Sequence, residues 1–279
     1  MVPENHGSSI TPEGAIEDLF VFGIPLVPRS RAANWQRVLD NLQATLQSIL
    51  QQKDQNFHCL IAVEDPIPLP EVKSPKVTLV TIEEVQRLNF GRDNYGLANK
   101  DAALKRAILR THANELGATY FMGTDADDLI SNRVVAFTRS QKPEYGAAIT
   151  RGYVMDSQTG KCLPVPGKHV RVTGFDTYCG TSIIMNLKFN AAKGSGSLAQ
   201  LWDTGHNLVR AAAIENSTPL LDLNVPLGIY MLNSGENISK LESNAPRLRL
   251  FEKHIVENIN RYGSPLSKAQ LMEFGLWSG

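Results

Sequence analysis

Three carboxylates, Asp125, Asp127 and Asp128, fall within four positions at the end of the apolar, aromatic run Tyr120-Phe121-Met122-Gly123. Like charges this close repel one another, and each is costly to strip of water. A divalent cation is the simplest partner that makes such a cluster favourable. Hard cations take one or two carboxylates and complete their shell with substrate phosphates. The apolar run reads as a buried strand, so the carboxylates stand where the chain leaves a sheet. The bland alternative is an acidic surface turn.

The flanking pattern predicts the elements that position this cluster. Leu19 to Leu26 is expected as a first buried strand, ended by Pro25 and Pro28 and followed by the basic loop Pro28-Arg29-Ser30-Arg31. Trp35, Val38, Leu39, Leu42, Leu46, Ile49 and Leu50 recur at helical spacing. His58–Val63 and Val77–Thr81 read as strands, Lys100–Leu116 as an amphipathic helix, and Thr119–Thr124 as the strand entering the acidic cluster. Strand–helix–strand–strand–helix–strand implies an α/β fold, with a mainly parallel central sheet flanked by helices. Ligands of such sheets bind at the carboxyl ends of the strands. Pro28–Arg31, Glu64-Asp65 and Asp125–Asp128 all fall there.

The second half reads differently. Gly146–Met155 and Thr181–Met185 are expected strands, Gly194-Ser195-Gly196 a loop, Leu208–Ile214 a helix and Leu227–Leu232 a last strand, followed by Asn233-Ser234-Gly235-Glu236. Residues 1–17 read as a flexible leader, 18–240 as the main domain and 241–279 as a helical extension broken at Gly263-Ser264-Pro265.

Composition narrows the classes. Among 279 residues, Lys+Arg and Asp+Glu are equal at 28, which gives no electrostatic case for a nucleic-acid partner. No stretch is long and apolar enough to span a bilayer. Met1–Thr11 lacks the apolar core of a secretory signal. Three cysteines, Cys59, Cys162 and Cys179, show no metal-type spacing and suit a reducing, cytoplasmic setting.

Taken in order, FVFGIPL, LIAVEDP, NKDAALKRA, YFMGTDADDLIS, FDTYCGTSIIM, WDTGHNLVR and IYMLNSGENIS resemble a family 2 glycosyltransferase of the GT-A (Rossmann-like) type, majastridin-like, over roughly residues 18–240. The resemblance implies a nucleoside diphosphate sugar donor, UDP-linked by preference, and Mn2+ or Mg2+ held at a DxD motif. It places Asp125 near the ribose, Asp127 on the metal and Asp128 in support. It assigns Pro25, Arg29, Asp65 and Lys100 to the nucleotide, and Cys179, Gly180 and Thr181 to the sugar and acceptor. A cation on the diphosphate stabilises the charge left when the anomeric C–O bond breaks.

Each of these positions has a plainer reading. Asp65 before Pro66 is an ordinary turn starter, Lys100 a solvated first-turn lysine, and Gly180 a turn entering a strand. Asp101 suits the positive end of its helix. The resemblance implies that Trp202-Asp203-Thr204-Gly205-His206 supplies the base that takes the acceptor proton. Asp203 is the first candidate; His206 is base, metal ligand or structural. Asn233 stands near the place of a late histidine in many relatives, which this chain lacks. The acceptor is a glycan, lipid or small molecule. Two other functions fit the pattern, a nucleotidyltransferase and a catalytically silent nucleotide- and metal-binding protein. The tail residues Leu248, Leu250, Phe251, Ile255 and Ile259 suit core packing, an oligomer contact or a peripheral contact with the inner face of the membrane.

Overall fold

The computed structural model describes residues 18–83, 86–87, 95–192, 205–236 and 246–277. The leader, the 194–196 loop and Asp203 lie outside the described residues. Strands β1 (Phe20–Pro25), β2 (Phe57–Val63), β3 (Val77–Thr81) and β4 (Tyr120–Gly123) pair in parallel in the order β3-β2-β1-β4. Helix α1 (Trp35–Leu50) crosses from β1 to β2, and α2 (Tyr95–Glu115) leads back to β4. β1 alternates as expected of a strand covered on both sides. Phe20, Phe22 and Ile24 pack with Leu42, Leu46 and Ile49 of α1, while Val21 packs with Leu109 and Ala113 of α2.

The order in which strands are laid across the sheet reverses between β1 and β4. From β1 the chain moves outward to β2 and β3, then returns to the other side of β1. A crevice opens at the carboxyl ends of two strands where such a reversal occurs, which is the usual ligand position in an α/β sheet. The Asp125–Asp128 turn follows β4 at that point. It continues into β5 (Leu129–Ile130) and α3 (Val134–Gln141).

Beyond β4 the sheet turns mostly antiparallel. β6 (Gly146–Asp156), β7 (Lys161–Val165) and β8 (Ile183–Asn186) extend it in the order β7-β6-β8-β4, and β8 leads into α4 (Leu187–Ala192). Then α5 (His206–Glu215) precedes β9 (Leu221–Leu232), which runs parallel to β6 and antiparallel to β5. Finally α6 (Pro246–Tyr262), β10 (Ser264–Pro265) and α7 (Lys268–Glu273) close the chain, β10 pairing with β7.

Of the tail residues with a membrane or partner reading, Ile255 and Ile259 are buried in the main core, Phe251 packs against it, and Leu250 is exposed. Glu273 accepts hydrogen bonds from Arg133 at 2.7 Å and from Ser131. No helix among the described residues is long and apolar enough to cross a membrane.

α2 begins at Tyr95, not Lys100, and this overturns two first-turn readings. Lys100 is an exposed residue of the second turn. Asp101 does not serve the helix end: its Oδ2 lies 2.6 Å from Arg31 Nη2 and 3.1 Å from Lys105 Nζ. Lys105 Nζ also lies 2.7 Å from Glu64 Oε1 and donates to the Leu26 carbonyl at 2.8 Å. This buried network ties α2 to the ends of β1 and β2. Its members satisfy one another, and removing one leaves charge stranded away from water. Lys105→Met should therefore lower stability by about 3–5 kcal/mol, read from urea denaturation. A loss within about 0.5 kcal/mol, ordinary for a surface change, would show that the network holds nothing together.

Candidate active site

The turn after β4 is fastened from below by α1. Thr45 Oγ1 donates to the carbonyls of Ala126 at 3.0 Å and Asp128 at 2.8 Å, and Ser48 Oγ accepts from Ile130 N at 3.0 Å. Both hydroxyls are fully buried. They interrupt the apolar stripe of α1, and that interruption is the signal by which sequence could have marked them: a polar group on a core face needs a partner.

The three carboxylates meet three different fates. Asp125 is partly exposed. Its Oδ1 accepts from Arg106 Nη2 at 2.7 Å, and its backbone N–H donates to Thr181 Oγ1 at 2.8 Å. Half-buried Asp127 accepts from Ser234 Oγ at 2.9 Å through Oδ2. Burial, then the neighbouring Asp125 charge, push its carboxyl up to about 7. Asp128 is wholly buried. It accepts from Met231 N at 3.2 Å and Cys179 Sγ at 3.3 Å and is hydrogen-bonded to the Thr181 hydroxyl. Burial and its two neighbours hold it well above the ordinary carboxylate range. Asp128 thus ties the turn to β9 and to the 179–181 segment, and Asp125 and Asp127 remain the partly exposed pair beyond the carboxyl end of β4.

The 179–181 segment alternates about this turn. Cys179 and Thr181 are buried, and their side chains brace Asp128 and Asp125. Gly180 lies on the open side. A Cβ there would stand 2.9 Å from Asp125 Oδ2 and 3.7 Å from His206 Nδ1, so the absent side chain lets these two groups converge.

His206 opens α5 directly after Gly205. Its ring is held by the backbone of Thr177, and burial lowers its pKa despite the nearby Asp125. At neutral pH it is therefore an uncharged imidazole able to take a proton. Helix α5 is anchored by Arg210, which pairs with the buried Asp176 at 3.0 Å and with Asp222.

The nucleotide candidates gather less tightly. Half-buried Pro25 ends β1 beside Ala62 of β2. Asp65 Oδ2 accepts from the backbone N–H of Arg29 at 2.8 Å. That bond locks the basic loop onto the end of β2, in keeping with turn chemistry, and leaves the Arg29 side chain exposed. Arg106, absent from the sequence candidates, is the cation that reaches the acidic turn.

Hard carboxylate oxygens at Asp125 and Asp127 match the donor preference of Mg2+ or Mn2+. Among the described residues no three His, Cys, Asp or Glu side chains converge on one point as a ready-made cage. The remaining positions of a bound cation would fall to substrate phosphates and water.

No family model matches the chain, and no curated protein matches it. Among solved structures it is similar to residues 1–349 of TarS from S. aureus, at 10% identity, 88% of this chain, 72% of that one and a TM-score of 0.43. It is also similar to the glycosyltransferase GlyE of Streptococcus pneumoniae TIGR4, at 9% identity over 88% of this chain and 63% of that one, TM-score 0.42. A third likeness is to a nucleotidyl transferase from Methanothermobacter thermautotroptrophicus, at 9% identity, 86% and 99% coverage and a TM-score of 0.43. Likenesses this distant assign no reaction.

Proposed function

We propose that this protein transfers a sugar from a nucleoside diphosphate sugar, UDP-linked by preference, to an acceptor hydroxyl, with inversion and with Mn2+ or Mg2+. The observation that carries the reading is the Asp125–Asp127 pair at the crevice where the parallel sheet reverses, with His206 converging on it across Gly180. Asp127 holds the metal, and Asp128 keeps the turn in place from within the core. When bound, the cation neutralises the diphosphate as it leaves. Arg106 sits beside Asp125 and supplies a second positive charge on that side. The acceptor oxygen attacks the anomeric carbon, the C–O bond to the diphosphate breaks, and the hydroxyl proton passes to the base. His206 is the base whose placement supports this step, and Asp203, three residues earlier, remains the sequence candidate.

UDP with Mn2+ at about 100 times its Kd should stabilise the protein by about 2.7 kcal/mol, several degrees in Tm. Asp127→Asn should abolish the metal-dependent part. An equal gain in that variant would remove Asp127 as a ligand.

The two base candidates separate by kinetics. The variant that removes the base should cut transfer by about 10²–10⁴-fold while sparing UDP binding. Expected of His206→Gln, that loss would pass to the Asp203 carboxylate if only Asp203→Asn showed it. Full transfer in both variants would discard the base assignment.

Stability without metal should also report the crowded carboxylates. Asp127 titrates at about 7 in the folded chain and near 3.9 when unfolded. Between these values the folded state holds more protons, so metal-free stability falls as pH rises from about 4 to 7. Urea midpoints across that range should decline in the wild type and decline less in Asp127→Asn. A steeper decline in the variant would contradict the assignment.

A further inference from the structure

Four consecutive residues after β9 are each pinned to a different part of the molecule. Asn233 takes a left-handed backbone with φ of 58° and donates from Nδ2 to Asp156 Oδ1 at 2.8 Å, at the end of β6. Ser234 is buried and donates to Asp127 Oδ2. Gly235 is left-handed at φ +88°, and a Cβ there would lie 2.4 Å from Arg37 Nη1 and 2.7 Å from Arg37 Cδ, so only glycine lets the backbone lie on that side chain. Glu236 accepts from the N–H groups of Ala33 at 2.9 Å and Asn34 at 2.8 Å, just ahead of α1. Its carboxylate thereby meets the positive end of that helix.

A segment held by hydrogen bonds at Asn233, Ser234 and Glu236 has little freedom, and the Ser234 hydroxyl places it against Asp127. We infer that Asn233–Glu236 is a positioning strap for Asp127: Ser234 fixes the plane of the carboxylate, and Glu236 holds Ser234 in place from the start of α1. The inference rests on the reading that Asp127 holds a divalent cation. A hydrogen bond to a metal-ligating carboxylate orients it, and losing such a bond weakens metal affinity about 10–100-fold. The strap also couples the two halves of the fold, because metal affinity then depends on a contact at the N-terminus of α1.

The test is the affinity of the UDP-saturated full chain for Mn2+, measured as free Mn2+ by electron paramagnetic resonance. Ser234→Ala should weaken it about 10–100-fold. Glu236→Ala, whose side chain lies off the crevice, should weaken it in the same direction. Arg139→Gln, which breaks the distant pair between Arg139 and Asp54, should lower the metal-free Tm and leave Mn2+ affinity unchanged. Wild-type affinity in Ser234→Ala or in Glu236→Ala overturns the strap while the metal reading stands. So does an equal loss in Arg139→Gln, which would mark the effect as general destabilisation. If Ser234→Ala does not fold, Glu236→Ala decides alone. If the wild type with UDP binds no Mn2+, the metal reading itself fails, and the strap's role falls with it.

Discussion

Repulsion among three carboxylates in four residues is the constraint around which this fold is arranged. Left to itself the sequence Asp125-Ala126-Asp127-Asp128 would spread into water. Instead α1 grips its backbone through Thr45 and Ser48, and each carboxylate meets a different partner. The charge of Arg106 faces Asp125, one hydroxyl faces Asp127, and a backbone N–H, a thiol and a hydroxyl enclose Asp128. The partners grow less charged as burial deepens. Burial, then the neighbouring Asp127 and Asp125 charges, push the Asp128 carboxyl well above the ordinary range, which eases the cost of holding it in the interior. Asp125 and Asp127 are left as the pair that faces the crevice.

Most of those partners come from the second half of the chain. Cys179, Thr181, Met231 and Ser234 are drawn in by β6, β8 and β9, and His206 arrives with α5. The parallel half grips the backbone of the acidic turn through α1 and faces Asp125 with Arg106. The mostly antiparallel half supplies the donors to Asp127 and Asp128, and β4 is the seam, paired in parallel with β1 and antiparallel with β8. Asp128 ties the seam to β9 and Ser234 ties it to the segment whose Glu236 reaches the start of α1. A change in either half is therefore felt at the same few atoms.

Elements with strong periodicity were legible in the sequence, and contacts between distant segments were not. The alternation of Phe20, Val21 and Phe22 and the helical stripe of α1 depend only on local spacing, and the structure bears them out. Five short elements, β5, β7, β10, α3 and α4, went unread: two residues of β5 or β10 carry no period, and Pro164 argues against a strand in β7. Lys105 and Asp101 sit at i and i+4, where sequence suggests a surface pair. Their burial is decided by Arg31 and Glu64, far away in the chain. Cys179 and Gly180 were grouped together, but Cys179 is buried against Asp128 while Gly180 lies beside Asp125 and His206. Ser234 carries no local mark at all, since its partner lies 107 positions earlier.

The charge balance of the crevice bears on what the proposed donor must bring. Ionised Asp125 and Asp127 amount to two negative charges, and Arg106 offsets one of them. A diphosphate arriving alone adds further negative charge against Asp127, in surroundings that already disfavour its ionised form. A divalent cation would remove both difficulties by pairing with Asp127 and with the phosphate oxygens together. Its binding would draw Asp127 to the ionised state, so that metal and nucleotide would each raise the other's affinity through one carboxylate. A neutral His206 completes this arrangement. A protonated imidazole would neutralise Asp125 from the acceptor side and could not take the acceptor's proton. Burial keeps it uncharged while the adjacent carboxylate limits how far its basicity falls. Under the proposed function, the same crowding that makes the acidic turn costly would favour the combined arrival of cation and diphosphate over either one alone.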